Sequence, residues 1–432
     1  MKKLLIAVFT LTIVLPINAV DFDIYGSVSP GLWFSKTEDF YDDSIGVDSV
    51  TNNPIMGEDS LPSYNTTLWP YGALGFNVKG DRFNVCLEIG IRKSMYQGFI
   101  NDDPAFILLT KEHVSMYAKR FFAEWYINDY LSLLIGKDYA PASFFSSNQR
   151  LYGDFRFRNA GCLYTGSRAM FQFSAGNYLS PDDFAEGFSW KVKAAVLKID
   201  TAAVKFRDAK VYIYTETKIP KFEGSYTMHL EKDFLSTNLK VGGGYQRYNM
   251  AIHKYKVPAD ISKEDVDCYV GGFECGAKVG PVALFYDWAW GQNLGAYGIE
   301  MGNPLVWRVQ DDPMSSIVNI FYPFHEKVVD NPGSTPDEYE MKNGKAVEMC
   351  WILNVTPLEW LSLEGGYGYV HAEHELEEYD ESWQDTRAYY AGLKFKIADI
   401  LEIGPEFGQF WYGKERGYGR FTYWGTELAA EF

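Results

Sequence analysis

The residues best suited to chemistry in this chain are charged, and they are unevenly spread. Between Arg150 and Lys221 lie twelve basic residues and seven acids, a net +5 inside a chain whose net charge is −17. Arg150, Arg156, Arg158, Arg168, Lys191, Lys193, Lys205 and Arg207 are the candidates for one shared basic surface. Lys191 and Lys193 alternate with Trp190, Val192, Ala194 and Val196. On a strand that spacing puts both ammonium groups on one face and the apolar side chains on the other. Cations lining a water-filled passage would favour anionic solutes. A structural reading stands beside this one: several of these residues pair with nearby acids, such as Asp154, Asp182 and Asp208, and hold loops in place.

Other constellations are weaker. Residues 372–385 carry Glu373, Glu375, Glu377, Glu378, Asp380, Glu381 and Asp385, with His371 and His374 alongside. Carboxylates are hard ligands suited to divalent cations, but the spacing follows no fixed ligand pattern. A solvated acidic loop is the reading favoured over a dedicated metal site. Trp288, Trp290 and Trp307 suit a sugar-stacking track or, preferably, an aromatic girdle at a membrane interface. The five cysteines form no CxxC pair, so no zinc site or disulfide framework is signalled. Cys268 and Cys275 are read as separate wall residues in preference to a bridge. No GxSxG, HExxH or phosphate-binding glycine loop occurs, so no catalytic residue, metal or cofactor is assigned.

The elements that must carry these charges are strands. Read in twos from Phe432, the positions Leu428, Thr426, Trp424 and Thr422 make a largely apolar face. Glu431, Glu427, Gly425 and Tyr423 lie opposite. That pattern suits a strand with lipid on one side and water on the other. Tyr389, Ala391, Leu393, Phe395 and Ile397 repeat it, opposite Tyr390, Gly392, Lys394 and Lys396. Short turns such as Gly80-Asp81, Asn128-Asp129-Tyr130 and Gly280-Pro281 alternate with long connections. The expected fold is all-β: a transmembrane, antiparallel, up-and-down barrel of about 18 strands. It has 16 if the stretch Gly161–Thr165 is not a strand and Thr215–Lys218 is not a link. The connection 293–344, rich in X-Pro steps, is expected to lack regular structure.

Residues 1–19 are laid out as a secretory signal peptide. Lys2 and Lys3 precede an apolar core from Leu4 to Leu15, with a cleavage site after Ala19. Residues 20–432 then form one barrel domain. Loss of the two lysines takes the net charge from −17 to −19, which argues against a nucleic-acid partner. Aromatic residues make up 17% of the chain, a load suited to barrel girdles.

Signal peptide, the opening Asp23-Ile24-Tyr25-Gly26-Ser27-Val28, the hairpin rhythm, Ile403-Gly404-Pro405-Glu406-Phe407-Gly408 and the closing strand to Phe432 together resemble a bacterial outer-membrane porin. The resemblance covers the mature chain in layout. It implies an exported protein of a Gram-negative outer membrane, in contact with lipid and lipopolysaccharide. It also implies passive diffusion of small hydrophilic solutes, a homotrimer, and an inward-folded third external loop, here residues 140–156. Trp424, Leu428 and Phe432 would then belong to the signal read by the barrel-assembly machinery. The alternatives kept open are a barrel enzyme of the outer membrane and a surface-binding β protein.

Overall fold

The computed structural model describes residues 20–38, 63–93, 114–144, 149, 161–163, 166–178, 187–198, 211–254, 263–297, 305–309, 317–318, 338–374, 383–412 and 420–432. The signal-peptide expectation for residues 1–19 falls outside them. In chain order the strands are β1 (Val20–Glu38), β2 (Ser63–Gly80), β3 (Phe83–Lys93), β4 (Val114–Asn128), β5 (Leu131–Tyr139), β6 (Ser167–Gly176) and β7 (Gly187–Leu197). They continue as β8 (Val211–Lys232), β9 (Leu235–Lys254), β10 (Lys263–Val279) and β11 (Val282–Gln292). Three short strands follow: β12 (Leu305–Val309), β13 (Ile317–Val318) and β14 (Glu338–Lys342). The rest are β15 (Gly344–Leu358), β16 (Leu361–His374), β17 (Trp383–Ala398), β18 (Leu401–Tyr412) and β19 (Arg420–Glu431).

Sixteen of these close into one antiparallel barrel, each paired with its sequence neighbours and β1 paired with β19. Closure matters because an unpaired strand edge in hydrocarbon leaves backbone groups unsatisfied. The seam is completed by the last residue. Gly26 N donates to Phe432 O at 2.8 Å, and Phe432 N donates back to Gly26 O at 3.0 Å.

The lower of the two strand counts holds, for two local reasons. The link expected at Thr215–Lys218 is interior to β8, whose register against β9 shifts between Thr217 and Ile219 and again between Ile219 and Phe222. Pro220 sits in that irregularity, where its missing N–H costs no ladder bond. Gly161 to Leu163 are not part of a barrel strand; all three are buried. With these two strands removed, β6 ends and β7 begins on the side of the tight turns, and β7 ends and β8 begins on the side of the long connections. The 293–344 expectation also changes. Prolines 304, 313, 323, 332 and 336 fall outside β12, β13 and β14, which pair as a small sheet in the order β13-β12-β14. The X-Pro steps break the segment into pieces without abolishing strand pairing.

The two faces of the wall differ as the alternation requires. Phe173, Val192, Val241, Leu284, Leu353 and Leu363 point outward and stay exposed. Near the tight turns Phe22, Tyr130, Phe188, Phe234, Trp360 and Phe432 are exposed, and Trp290, Trp411 and Trp424 ring the other end. Eight residues separate Trp424 from Phe432, about 20 Å of height for a strand tilted ~40°. That is close to the ~25 Å apolar band of a membrane barrel. Trp288 and Trp290 pack with Phe273 and Tyr269 on the outside, as a girdle does. Among the described residues no helix is long and apolar enough to cross a membrane; the strands provide the crossing.

Candidate pore constriction

The inner face of β7 to β10 carries the cations. Lys191 pairs in register with Thr227, Thr227 with Lys240, and Lys240 with Glu274, so one row crosses four strands. Lys193 is the next inward position on β7, and Lys221 and Glu223 are inward neighbours on β8. Lys221 Nζ is 2.9 Å from Glu223 Oε1, with both side chains fully buried. Tyr297 lies over it, its ring centroid 4.3 Å from Nζ. Tyr297 reaches the lumen because the chain after β11 turns back as one 3-10 turn, Leu294–Tyr297, and buries both end residues.

The long connection after β5 folds into this space. Ala140, Ala142, Ser143 and Phe144 are all buried. Ala142 N donates to Glu223 Oε2 at 3.0 Å, and Lys240 Nζ donates to Ser143 O. Phe144 lies flat on the wall over Gly242 and Gly272. A Cβ on Gly272 would stand 2.7 Å from its ring. Gly242 and Gly244 on β9 and Gly272 on β10 face the lumen and form a floor with no side chains, which lets a loop approach the backbone. Further along, Gln149 Nε2 donates to Tyr423 OH at 2.6 Å, and Tyr423 OH donates to Glu406 Oε1 at 3.0 Å. The segment then meets β15 and β16 at Gly161–Leu163. Gly161 has φ +119, a conformation side chains rarely adopt, and a Cβ there would strike the backbone of Met349, Gly368 and Tyr369. The loop thus touches three separate parts of the inner wall.

No family model and no curated protein matches the sequence. Among solved structures the chain is similar to OmpF of Salmonella typhi in complex with daunomycin, at 11% identity and a TM-score of 0.55. The match covers 95% of this chain and 97% of that one. It is also similar to a loop L8 deletion mutant of OmpT, an outer membrane protein of Vibrio cholerae, at 12% identity and a TM-score of 0.51. Here 96% of this chain and 100% of that chain are covered. The fold is that of an outer-membrane porin.

Within this porin-type barrel the sequence-derived candidates separate. Lys191 and Lys193 face the lumen, while Phe188, Val192 and Val196 face outward. Lys191 Nζ lies 5.6 Å from the Tyr178 ring centroid. Arg168 is at the start of β6, opposite Asp138 in register, with its guanidinium donating to Ser167 O at 3.4 Å. Arg150, Arg156, Arg158, Lys205 and Arg207 lie outside the described residues. Trp424, Leu428 and Phe432 share the outward face, and a Cβ on Gly26 would stand 2.6 Å from the Phe432 ring. Cys268 and Cys275 fall on opposite faces of β10, so they do not bridge.

Sequence reasoning missed Lys240 and a second charged cluster. Arg120 Nε is 2.7 Å from Asp138 Oδ1, and Lys119 Nζ is 2.7 Å from Glu88 Oε1. Both cations lie before Arg150, so a search for a basic stretch passes over them. The glycine runs 242–244 and 271–272 were the available signal for where a loop lands. The acidic region 372–385 is partly strand. His371 Nδ1 sits 2.7 Å from Asp385 Oδ1 across β16 and β17, and His371 Nε2 is 3.1 Å from Glu373 Oε1.

Proposed function

We propose that the chain is an outer-membrane pore through which small hydrophilic solutes diffuse passively, with a preference for anions. The observation that carries this reading is the loop from Ala140 to Phe144, seated on a lumen wall that presents Lys191, Lys193, Lys221 and Lys240. Two of these cations have carboxylate neighbours: Glu223 neutralises Lys221, and Glu274 stands opposite Lys240. Lys191 and Lys193 add two further cations to this wall. No cofactor and no catalysis are needed, since width and lining charge set what passes. We further infer a homotrimer, contact with lipid and lipopolysaccharide, and assembly-machinery recognition through Trp424, Leu428 and Phe432, a reading that the porin-type fold supports.

Single-channel recording of the purified protein in a planar bilayer, with the reversal potential under a salt gradient, tests the reading. Stable conductance steps with an anion-favouring potential are expected, with three equal sublevels per insertion for a trimer. The double change Lys191→Glu with Lys193→Glu should weaken or reverse the preference. Folded protein that gives no steps would overturn the pore.

A second reading draws on one observation only. His371 and Asp385 form a base and its orienting acid at the ends of β16 and β17, where a hydrolase of the outer rim would need them. His371→Ala should leave conductance unchanged under the pore reading. Loss of a hydrolytic activity in that variant would favour the enzyme.

A further inference from the structure

The inward loop ends against a group of side chains that the pore does not require. Cys162, on the loop, places its Sγ 3.4 Å from Sγ of Cys350 on β15. Asp287 on β11 is the register partner of Cys350 and points the same way. The donor atoms of these three residues lie within 4.8 Å of one another. Glu348 is the next inward position on β15. Exposures are 0% for Cys162, 1% for Cys350, 3% for Asp287 and 0% for Glu348.

This burial is costly as it stands. Both oxygens of Glu348 and Oδ1 of Asp287 are buried without a hydrogen-bond partner. The ionisable groups that act on Asp287 are Cys162, Glu348 and Glu274, all of them acids. Acids gathered out of water either keep their protons or take up a countercharge. Two sulfurs and two carboxylates are a tetrahedral donor set for a thiophilic divalent ion. Thiolates bound at ~2.3 Å in a tetrahedron sit about 3.7 Å apart, close to the observed spacing. A disulfide would need ~2.05 Å.

We propose that Cys162, Cys350 and Asp287 bind one zinc-type divalent ion, with Glu348, the next inward carboxylate, turning in as the fourth ligand. The ion clamps the far end of the inward loop to the wall at β11 and β15. The thiol protons and those held by the two buried carboxyls leave to solvent as the metal enters, and no electron is transferred. Four anionic ligands on a divalent ion leave −2, the same balance as a four-cysteine zinc site.

The test is metal content by mass spectrometry of reduced, folded barrel after Zn2+ loading and desalting, paired with Co2+ absorption. About one ion per chain and a thiolate-to-cobalt charge-transfer band are expected. Asp287→Asn, which keeps the shape of the side chain, and Cys350→Ser should each weaken affinity by at least about 10-fold. Heat-modifiable gel mobility confirms that each variant is folded; if Cys350→Ser fails there, Asp287→Asn with Glu348→Gln takes its place. Three results overturn the proposal: folded wild type that retains no metal, binding unchanged in the variants, or a Cys162–Cys350 disulfide in protein from membranes whose reduced form binds no metal.

Discussion

Lys221 and Glu223 are two residues apart on one strand and fully buried together. Glu223 does double duty, since its other oxygen accepts from Ala142 N and so anchors the loop. Removing one member of a buried ion pair strands the other charge, typically at about 3–5 kcal/mol. Glu223→Ala should therefore lower the urea midpoint of the barrel, read by heat-modifiable mobility, by far more than Lys198→Ala on the exposed face. Lys221→Met combined with Glu223→Gln should recover most of the loss, because no charge is then left alone. A midpoint unchanged in Glu223→Ala would show that the pair and the loop anchor are not coupled as the geometry implies.

At the scale of elements, the loop depends on glycine in β10. Gly272→Val puts a branched side chain where the Phe144 ring lies. Overpacking of this kind costs about 1–3 kcal/mol; the Cβ also meets Trp288 O of β11, so the wall shifts there as the loop lifts away. Single-channel conductance should rise in Gly272→Val and stay near wild type in Gly271→Ala, where a Cβ meets nothing within 4 Å. Strand β19 depends on a different contact. Phe432 covers Gly26 on the outside of the seam while its backbone completes the pairing. Phe432→Ala keeps those backbone bonds and removes the ring. The expected outcome is a smaller folded fraction in membranes, with purified folded barrel giving normal conductance. Equal folded fractions would remove Phe432 from the assembly role.

For the whole molecule, the test is the contrast between its faces. Leu353 is exposed to the outside, midway between the rim residue Trp360 and Val347, the register partner of Trp290. Asn354 is one residue away and faces inward, donating to Glu364 Oε2 at 3.1 Å. Arginine near the bilayer midplane costs about 2–4 kcal/mol. Leu353→Arg should destabilise the barrel in lipid by roughly that amount, whereas Asn354→Arg gains Glu364 as a partner and should cost little. Equal effects in urea titrations with lipid vesicles would mean that this wall does not divide hydrocarbon from water.

The sequence alone determined the faces of the strands with clear alternation. Alternation placed Lys191 with Lys193, Tyr389 with Ile397, and Trp424 with Leu428 and Phe432, because side chains on a strand alternate whatever their partners are. It also determined the hairpins at Gly80-Asp81, Asn128-Asp129-Tyr130 and Gly280-Pro281, since tight turns have local chemistry. The stretches Gly161–Thr165 and Thr215–Lys218 left the strand count between 16 and 18, because a bulge and a turn begin with the same residue types and only the partner strand distinguishes them. The constriction was decided by tertiary structure. Ala142 meets Glu223 across 81 positions and Cys162 meets Cys350 across 188. No local periodicity encodes which part of the wall a long loop will cross, so closure of the barrel had to bring those residues together.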